Sequence, residues 1–446
     1  MLQTFLNCFK IPDLRRRILF TVGLLIVYRI GGQITVPGVS VTVLEEFFAS
    51  SGNTLFGLYD MFVGGAFTRG TIFALGIMPY ISASIILQLL GAVIPYFQKL
   101  QREGEEGRKK ITQYTRYGTV LLAMAQAYGV SYFLESIRGP VSGVPAVAMG
   151  GFGFTLETML TITTGTIFIM WLGEQITERG IGNGISLIIF IGIVAELPYA
   201  IKSEWQNYLV NRGAGKNLIE ELFLVLLMFV VVAFVILITQ GMRKIPVQYA
   251  KRVVGRRVYG GHTTHIPLRI NQAGVIPIIF AQSIMFLPGT ITQLFPNNEF
   301  MQSAGVFFTT GSLFYWVVYA LMIIFFTYFY TAIILDPNQL ADNMKKHGGF
   351  VPGVRPGRRT AQYIDRIMTR ITLPGAIALA AVAIFPYFVG QQFNVSPSFS
   401  QFFGGTGLLI VVGVALDTLQ QIESQLMTRH YEGFMKGGGR IRGRRM

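Results

Sequence analysis

The chain has 446 residues, of which 52% are hydrophobic and only 13% are charged. Soluble globular proteins carry about 25% charged residues, so roughly half of the usual charge is absent. The remaining charge is unbalanced, because 37 Lys and Arg against 22 Asp and Glu give a net charge of +15. A soluble nucleic-acid-binding domain this basic would be more polar, and a disordered basic chain would not contain 36 Phe. The composition excludes both classes and indicates a protein that is solvated largely by lipid.

Ten segments are long and apolar enough to be transmembrane helices, each of which needs about 20 mostly apolar residues. Gln126 and Asp417 interrupt the third and the tenth segment. The first segment is long and leads into a multi-span pattern, so we expect a retained span rather than a cleavable signal. The predicted spans are 18–37, 72–95, 117–134, 153–173, 184–203, 218–239, 270–290, 312–335, 371–390 and 404–422.

The basic residues sort strongly by loop. The N-terminal segment, the loops after even-numbered spans and the C-terminal tail together carry 31 Lys and Arg, whereas the opposite side carries five. Acidic residues divide 12 to 10, so the two sides carry about +19 and −5. The positive-inside rule places the basic side in the cytoplasm. We therefore expect both termini in the cytoplasm.

Two spans share a short pattern. Residues 76–85 and 274–284 both read Gly-x-x-Pro-x-Ile and continue through small residues to Ser-Ile. They occupy the second position of two five-span halves, which must have opposite topology; a pathway at the interface of inverted repeats is typical of such proteins. The alternative is that Gly and Pro are simply common in membrane helices. The fold class predicted is an all-α membrane protein with ten transmembrane helices in two inverted, pseudo-symmetric halves around a central pore, divided into 1–210, 211–430 and a basic tail at 431–446.

Isoleucine recurs every four residues at Ile77, Ile81 and Ile85, and again at Ile185 and Ile189, which places each set on one helix face. Such stripes commonly face lipid or pack against other helices. Ser82, Gln126 and Asn271 lie on predicted spans two, three and seven. Polar side chains within a membrane normally face protein or water rather than lipid. We therefore expect these three helices to lie in the interior of the protein. A narrow apolar lining of this kind can gate by dewetting and would suit an unspecific cargo.

The predicted spans contain few charged residues that could bind an ion or a small polar solute during transport. Arg29 and Asp417 lie near span ends, where both can reach an interface by snorkelling, so a proton relay or a specific carboxylate site is not expected.

The stretch 52–70 is apolar, but it is too short and too rich in Gly to span. We interpret it as a re-entrant or pore-inserted segment, which is tolerated only where it is buried in protein or lines water. The alternative is a helix lying on the outer interface.

Two long loops on the basic side combine charge with Gly, Pro and aromatic residues. The loops are 241–269 and 336–370. Alternating Val, Tyr and basic residues in the first predict a short strand pair, and Gly353-Val354-Arg355-Pro356-Gly357 in the second predicts a rigid turn that presents Arg355. Such loops can dock phosphate backbones or acidic protein faces. The positive-inside rule alone explains the sign of the charge, although not the Gly and Pro on both sides of Arg355.

Signals for an enzyme or a cofactor are poor. The sequence has no Gly-x-x-x-x-Gly-Lys-Ser/Thr phosphate loop, and Gly180-Ile181-Gly182-Asn183-Gly184 joins two spans, where a tight turn is expected. Cys8 is the only cysteine, which excludes an intrachain disulfide, and His262 and His265 lack other metal ligands nearby. We expect no enzymatic activity, no cofactor and no metal, so that a partner must supply the energy for any uphill process.

Several long motifs resemble the SecY family, the pore-forming subunits of bacterial Sec protein translocases. The likeness runs from about residue 15 to about residue 431 with matching span order. The Gly- and Arg-rich tail at 437–446 matches nothing in the family pattern and leaves ribosomal RNA or anionic lipid as candidate contacts. The motifs are Gly-Ile-Met-Pro-Tyr-Ile-Ser-Ala-Ser-Ile (76–85), Arg-Glu-Gly-Glu-Glu-Gly-Arg-Lys-Lys (102–110), Gln-Tyr-Thr-Arg-Tyr-Gly (113–118), Trp-Leu-Gly-Glu-Gln-Ile-Thr-Glu-Arg-Gly-Ile-Gly-Asn-Gly-Ile-Ser (171–186) and Gly-Val-Arg-Pro-Gly (353–357).

The resemblance implies roles for matching positions. It implies a plug that closes the outer funnel within 52–70, including Leu58, Met61, Phe62 and Phe67, and a lateral-gate polar cluster of Ser82, Gln126 and Asn271. It also implies a docking surface for a motor or ribosome at Lys251, Arg256, Arg257 and Arg355. The implied hydrophobic pore ring consists of Ile77, Ile81, Ile85, Ile185, Ile189, Ile279 and Ile410.

The family resemblance further implies the partners and the activity. The expected partners are SecE, SecG, the SecA motor ATPase, the ribosome, preproteins with signal sequences and membrane lipid. The expected activity is a passive channel in the plasma (inner) membrane that passes unfolded polypeptides across and releases apolar segments sideways. Two other classes of membrane protein agree less well with the sequence. A small-solute transporter is disfavoured by the near absence of charge at mid-membrane, and a scaffold without a pore is disfavoured by the polar groups within spans two, three and seven.

Overall fold

The computed structural model describes residues 11–50, 60, 63–140, 143–211, 218–249, 252–254, 257–259, 263–294, 312–393, 395–400, 402 and 405–436. Within them the protein is mostly helical. The helices are α1 (Pro12–Gly31), α2 (Val41–Ser50), α3 (Met78–Val93), α4 (Pro95–Arg102), α5 (Glu105–Ser136), α6 (Phe152–Arg179), α7 (Gly184–Asn211), α8 (Leu218–Gln240), α9 (Ile276–Leu294), α10 (Leu313–Ile334), α11 (Pro337–Lys346), α12 (Arg358–Phe393), α13 (Pro397–Ser400) and α14 (Gly405–Lys436).

Each of the ten predicted spans coincides with one of these helices: α1, α3, α5 to α10, α12 and α14. By length and composition, six helices in the described part of the chain can cross a membrane, and α3 with α4 makes a seventh if the bent pair counts as one span. The apolar part of α9, Ile276–Met285, is shorter, while α1 and α5 both begin with charged turns. The prediction of an all-α, multi-pass membrane protein is confirmed.

The predicted ends of three spans were wrong. The first span ends at Gly31 rather than residue 37, and the second begins at Met78 rather than residue 72. The chain between them turns, with a β-bridge between Thr35 and Thr71. Gly76 adopts φ +53°, a left-handed conformation that interrupts a right-handed helix. Hydropathy alone does not detect such turns, because the residues in them are as apolar as those in the helices.

The seventh span also begins later than predicted. Residues 270–275 form turns, and α9 begins at Ile276, after Gly274 at φ +65° and directly before Pro277. Proline is well suited to the first turn of a helix. Asn271, which was assigned to the span, therefore lies in the turn that precedes the helix.

The second span ends in a sharp bend. The axes of α3 and of Pro95–Gln101 differ by 103°. Ile94 has an extended backbone between the two helices, and Pro95 begins the second helix. Because proline restricts the preceding residue to extended conformations, the sequence Ile94-Pro95 explains the bend.

The chain forms two compact units. Unit 1 contains the described residues of Met1–Ser51, Phe56–Glu196 and Ile410–Met446, and unit 2 contains those of Leu197–Leu409. Two helices, α7 and α14, each contribute residues to both units. The sequence-based halves at 1–210 and 211–430 stay a prediction.

The glycine-rich turn after α6 ties three parts of unit 1 together. The Ile181 amide donates to Oγ1 of Thr21 on α1 at 3.1 Å, and the Gly182 amide donates to Oε1 of Gln421 on α14 at 3.0 Å. A Cβ at Gly184 would lie 2.0 Å from the Gly173 carbonyl oxygen. The predicted tight turn is confirmed, and it connects the end of α6 to the middle of α1 and of α14.

In unit 2 the two long basic loops fold together. Strand β1 (Met242–Tyr249) pairs antiparallel with β4 (Thr263–Arg269) on one side and with β5 (Gly349–Phe350) on the other. Between them β2 (Arg252–Val254) and β3 (Arg257–Tyr259) form a separate pair. The strand pair predicted in 241–269 is confirmed. The sheet covers an apolar cluster of Ile245, Val247, Leu268, Met344, Val351, Ile364 and Met368.

Gly165 provides a test of helix packing in unit 1. A Cβ at this position of α6 would lie 2.0 Å from the Ile72 carbonyl oxygen, so α6 can approach residue 72 only without a side chain. Gly165→Ala is expected to lower the free energy of unfolding by about 1–3 kcal/mol. Gly153→Ala, also on α6, has open space around its Cβ and should leave stability within about 0.5 kcal/mol of the parent. Thermal unfolding of both variants in detergent measures the difference, and equal midpoints would contradict the packing.

Candidate channel site

The seven isoleucines of the predicted pore ring lie on four helices. Ile81 and Ile85 lie on α3, Ile77 lies directly before it, and Ile185 and Ile189 lie on α7; Ile279 lies on α9 and Ile410 on α14. Six of the seven are buried, with exposed fractions from 0% at Ile410 to 8% at Ile279, and Ile185 is half-buried. Six belong to unit 1 and Ile279 belongs to unit 2. Most of these side chains are therefore withdrawn from the lipid-facing surface.

The three predicted lateral-gate residues differ in their surroundings. Ser82 on α3 and Gln126 on α5 are half-buried, and these two helices pack against each other. Asn271, in the turn before α9, is 5% exposed, and its Oδ1 atom has no hydrogen-bond partner among the described residues. An unpaired buried amide oxygen lowers the stability of the folded protein by about 1–3 kcal/mol, so Asn271 is destabilising at this position.

Of the predicted plug, the structure describes Asp60 and the residues from Val63 onward; Leu58, Met61 and Phe62 lie outside the described residues. We call residues 63–70 the plug base. Its backbone turns through Gly64 and Gly65, at φ +69° and +81°, and reaches Gly70 at φ +55°. Each of these conformations favours glycine, so the glycines that prevent this segment from spanning also fold it into a compact turn.

Phe67 is buried in an aromatic cluster on unit 1. Its ring lies 6.2 Å from Phe133 of α5 in a stacked arrangement and 5.9 Å from Phe48 of α2 in an edge-to-face arrangement. The ring is 6% exposed and belongs to an apolar core with Val36, Leu44 and Phe154. Phe67 therefore belongs to the apolar core of unit 1.

The predicted turn around Arg355 is present. Gly353 and Gly357 adopt φ +79° and +97°, and the Arg355 carbonyl accepts a hydrogen bond from Oγ1 of Thr360 at 2.9 Å. Arg355 is exposed, in the loop that leads from β5 to α12. Lys251 and Arg256 lie outside the described residues, while the backbone of Arg257 begins β3. We call the three-stranded sheet β4-β1-β5 with this turn the basic platform.

An ion pair joins the basic-side ends of α5 and α6. Arg116 donates two hydrogen bonds to the Glu174 carboxylate, at 2.9 and 2.7 Å. These bonds raise the pKa of Arg116 above its usual value. The two-pronged geometry fixes the relative register of the two helices, although a pair this exposed adds little stability.

Sequence reasoning missed two features of the site. The first is that β5 joins the two basic loops into one sheet, which two residues of sequence do not reveal. The second is the contact of α1 with the plug base: Arg29, interpreted from sequence as an interface charge, donates to the Gly64 carbonyl at 3.1 Å. The sequence signal for this contact was an arginine inside a predicted span, which usually marks a buried partner.

Comparison with known proteins gives consistent matches. The SecY family model matches residues 71–419. The protein translocase subunit SecY of Thermotoga maritima is 46% identical over 450 residues, covering 100% of both chains. The same subunit of Escherichia coli K12 is 46% identical over 427 residues, covering 95% of this chain and 94% of its own.

Solved structures share the fold at low identity. A structure described as a protein-conducting channel has a TM-score of 0.64 at 17% identity, over 92% of this chain and 91% of its own. A SecY structure, whose plug domain is described as stabilising the closed state of the translocation channel and maintaining a membrane seal, has a TM-score of 0.60 at 18% identity over 92% and 91%. Sec61 in a canine ribosome–channel complex has a TM-score of 0.59 at 17% identity over the same shares.

The family model covers more than half of the chain, and the relatives cover nearly all of it at 46% identity. The ten helices, the buried isoleucines and the structured basic loops are in keeping with these matches. The chain therefore belongs to the SecY family of protein translocase subunits.

Proposed function

We propose that this chain is a passive protein-conducting channel of the plasma membrane. It passes unfolded preproteins across the membrane and releases transmembrane segments sideways into the lipid, driven by a partner motor or a ribosome. The observation that carries the proposal is the full-length similarity to curated protein translocase subunits. The sparse charge within the spans supports it, because an unspecific polypeptide cargo needs no fixed charged site.

The seal of the resting channel is assigned to the isoleucine ring and to the plug. Ile77, Ile81, Ile85, Ile189 and Ile410 are buried, and a narrow constriction of branched apolar side chains excludes water without binding the cargo. Residues 52–70 close the outer side, in keeping with the plug described for the related SecY structure. The ring and the plug together hold the membrane barrier while no chain is in transit.

Ser82, Gln126 and Asn271 are assigned to the lateral gate. A polar side chain at a helix interface stabilises the interface when it is hydrogen-bonded and destabilises it when it is not. An interface that contains incompletely paired polar residues is therefore held together less tightly, and separating its helices requires less free energy. The Asn271 Oδ1 atom has no hydrogen-bond partner among the described residues, which supports a role for this side chain in a polar cluster. The expected halves at 1–210 and 211–430 open around it as inverted repeats.

In this proposal the basic side faces the cytoplasm, with both termini there, and the basic platform receives the partner that supplies energy. SecA and the ribosome are the candidate drivers, and the Sec61 structure in a ribosome–channel complex supports the ribosome. SecE and SecG are the expected companion subunits. Lys251, Arg256, Arg257 and Arg355 are assigned to docking, because exposed basic side chains on a rigid frame suit acidic or phosphate surfaces.

Ile410→Asn tests the ring. Ile410 is fully buried, and an amide at this position lowers the cost of wetting the constriction. The resting conductance in planar bilayers and the export of preproteins with weakened signal sequences are both expected to rise. Ile410→Val, which keeps the position apolar, should leave both near the parent level. If Ile410→Asn changes neither quantity in a stably folded channel, the ring assignment is wrong.

Arg355→Glu tests the docking surface. Reversal of the charge on this exposed side chain should leave membrane insertion intact, while motor-driven export into reconstituted vesicles falls about tenfold or more. Arg366→Glu changes the same charge at another exposed position, on α12, and serves as the matched control. Normal export by the Arg355 variant, or an equal loss in both variants, would refute a specific docking role for Arg355.

A further inference from the structure

Two neighbouring side chains of α1 hold the plug base by its backbone. The Tyr28 hydroxyl donates to the Val63 carbonyl at 3.2 Å, and Nη1 of Arg29 donates to the Gly64 carbonyl at 3.1 Å. Tyr28 is 3% exposed, and its ring stacks on Phe73 at 5.9 Å. We call Tyr28 and Arg29 the loop anchor. It joins residues that are 35 positions apart in the chain.

The opposite side of the plug base faces α7. A Cβ at Gly64 would lie 2.7 Å from Nη1 of Arg29 and 2.9 Å from the Gly192 Cα atom. A Cβ at Gly65 would lie 2.6 Å from Oε1 of Glu196. The two glycines are therefore held between α1 and α7, with an arginine on one side and a carboxylate on the other, and no side chain fits at either position.

Asp60 holds the turn together from within. Its Oδ1 accepts from the amides of Phe67 and Thr68, both at 2.9 Å, and its Oδ2 accepts from the Thr68 hydroxyl. The Asp60 carbonyl also accepts from the Gly65 amide at 3.0 Å. The turn is thus a preformed unit whose connection to α1 is made by the two carbonyls at Val63 and Gly64.

From this geometry we propose that Arg29 and Tyr28 are positioning residues for the closed channel: the loop anchor fixes the plug base to α1. The inference rests on the proposed function, because it assigns the anchor to a plug that seals the channel. Phe67, stacked on Phe133, holds the far end of the same segment. The plug base is consequently fixed at both ends, and loss of the anchor frees the end that leads into the plug.

The charge on Arg29 matters because the two carbonyls are buried. A hydrogen bond from a charged donor contributes about twice as much as one between neutral groups. Removal of the guanidinium leaves the Gly64 carbonyl without this donor, so the closed arrangement is weakened relative to any arrangement in which the plug base has moved. The anchor therefore acts on the equilibrium between closed and open channel, not on the conduction path.

The test is the resting ion leak of proteoliposomes that contain the full-length chain with its companion subunits. Arg29→Gln is expected to raise the leak about tenfold, and Tyr28→Phe, which keeps the stacked ring and removes only the hydroxyl, about threefold. Arg29→Lys, which restores a cationic donor, should recover much of the seal. Arg16→Gln is the matched control, because Arg16 is exposed on the same helix but lies more than three helical turns from Arg29 and outside the plug base.

Gly64→Ala tests the same contact without removing a charge. The added methyl group would push the plug base away from Arg29 and Gly192, so its leak should match that of Arg29→Gln. Thermal unfolding of each variant identifies any that fails to fold. Parental leak in folded Arg29→Gln and Gly64→Ala channels would overturn the inference, and so would equal leaks in Arg29→Gln and Arg16→Gln.

A channel from which residues 57–67 are removed separates this inference from the proposed function. If this deletion leaks and Arg29→Gln does not, the plug stands and the anchor is wrong. If neither leaks, the assignment of the plug itself fails. If both leak and Arg29→Lys restores the seal, the anchor is supported.

Discussion

Backbone amide and carbonyl groups within a membrane must find partners inside the protein, because lipid offers none. Helices satisfy this requirement without help, which is why ten apolar segments of this chain become helices. The requirement is most demanding where the backbone is irregular, as it is between Val63 and Ile77. There each carbonyl needs a specific donor, and the donors at Val63 and Gly64 are the side chains of Tyr28 and Arg29. The position of the segment assigned to sealing the channel thus follows from the same constraint that forms the spans.

The long loops on the basic side of the molecule also have a defined structure. The excess of Lys and Arg sets the orientation of the chain through the positive-inside rule, and this requires no fixed geometry. The loops nevertheless have one, since β1, β4 and β5 form a sheet over an apolar cluster that includes Ile364 of α12. The proposed function requires a partner that pushes a polypeptide through the channel and therefore binds firmly to it. For that proposed role a rigid platform with an exposed Arg355 is better suited than a flexible loop of the same charge.

The sequence predicted the helices well, because runs of 20 apolar residues have few other structures available to them. It predicted their ends poorly. Gly76 and Gly274 stop helices by conformation rather than by polarity, so the second and seventh spans were drawn too long and Asn271 was placed on a helix.

The strand pair in 241–269 was predictable from alternation along the chain. The pairing of Gly349 and Phe350 with β1 was not, because it depends on contacts about 100 residues away. Arg29 was recognisable from the sequence as a charged residue within a predicted span. Its hydrogen-bond acceptor, the Gly64 carbonyl, was not predictable, because every residue has a backbone carbonyl. The resemblance to a known family supplied the roles of the ring, gate and docking residues, which residue chemistry alone left open.

The central claim is that translocating polypeptide passes the buried isoleucines of α3 and α9. A photo-crosslinking residue placed at Ile81 or at Ile279, in membranes that hold a preprotein stalled in transit, tests it most directly. Leu226 of α8, 60% exposed and expected to face lipid, is the matched control. Adducts with the stalled chain are expected from positions 81 and 279 and none from position 226. A preprotein that is stalled and protected from protease, yet forms no adduct from either position, would contradict it.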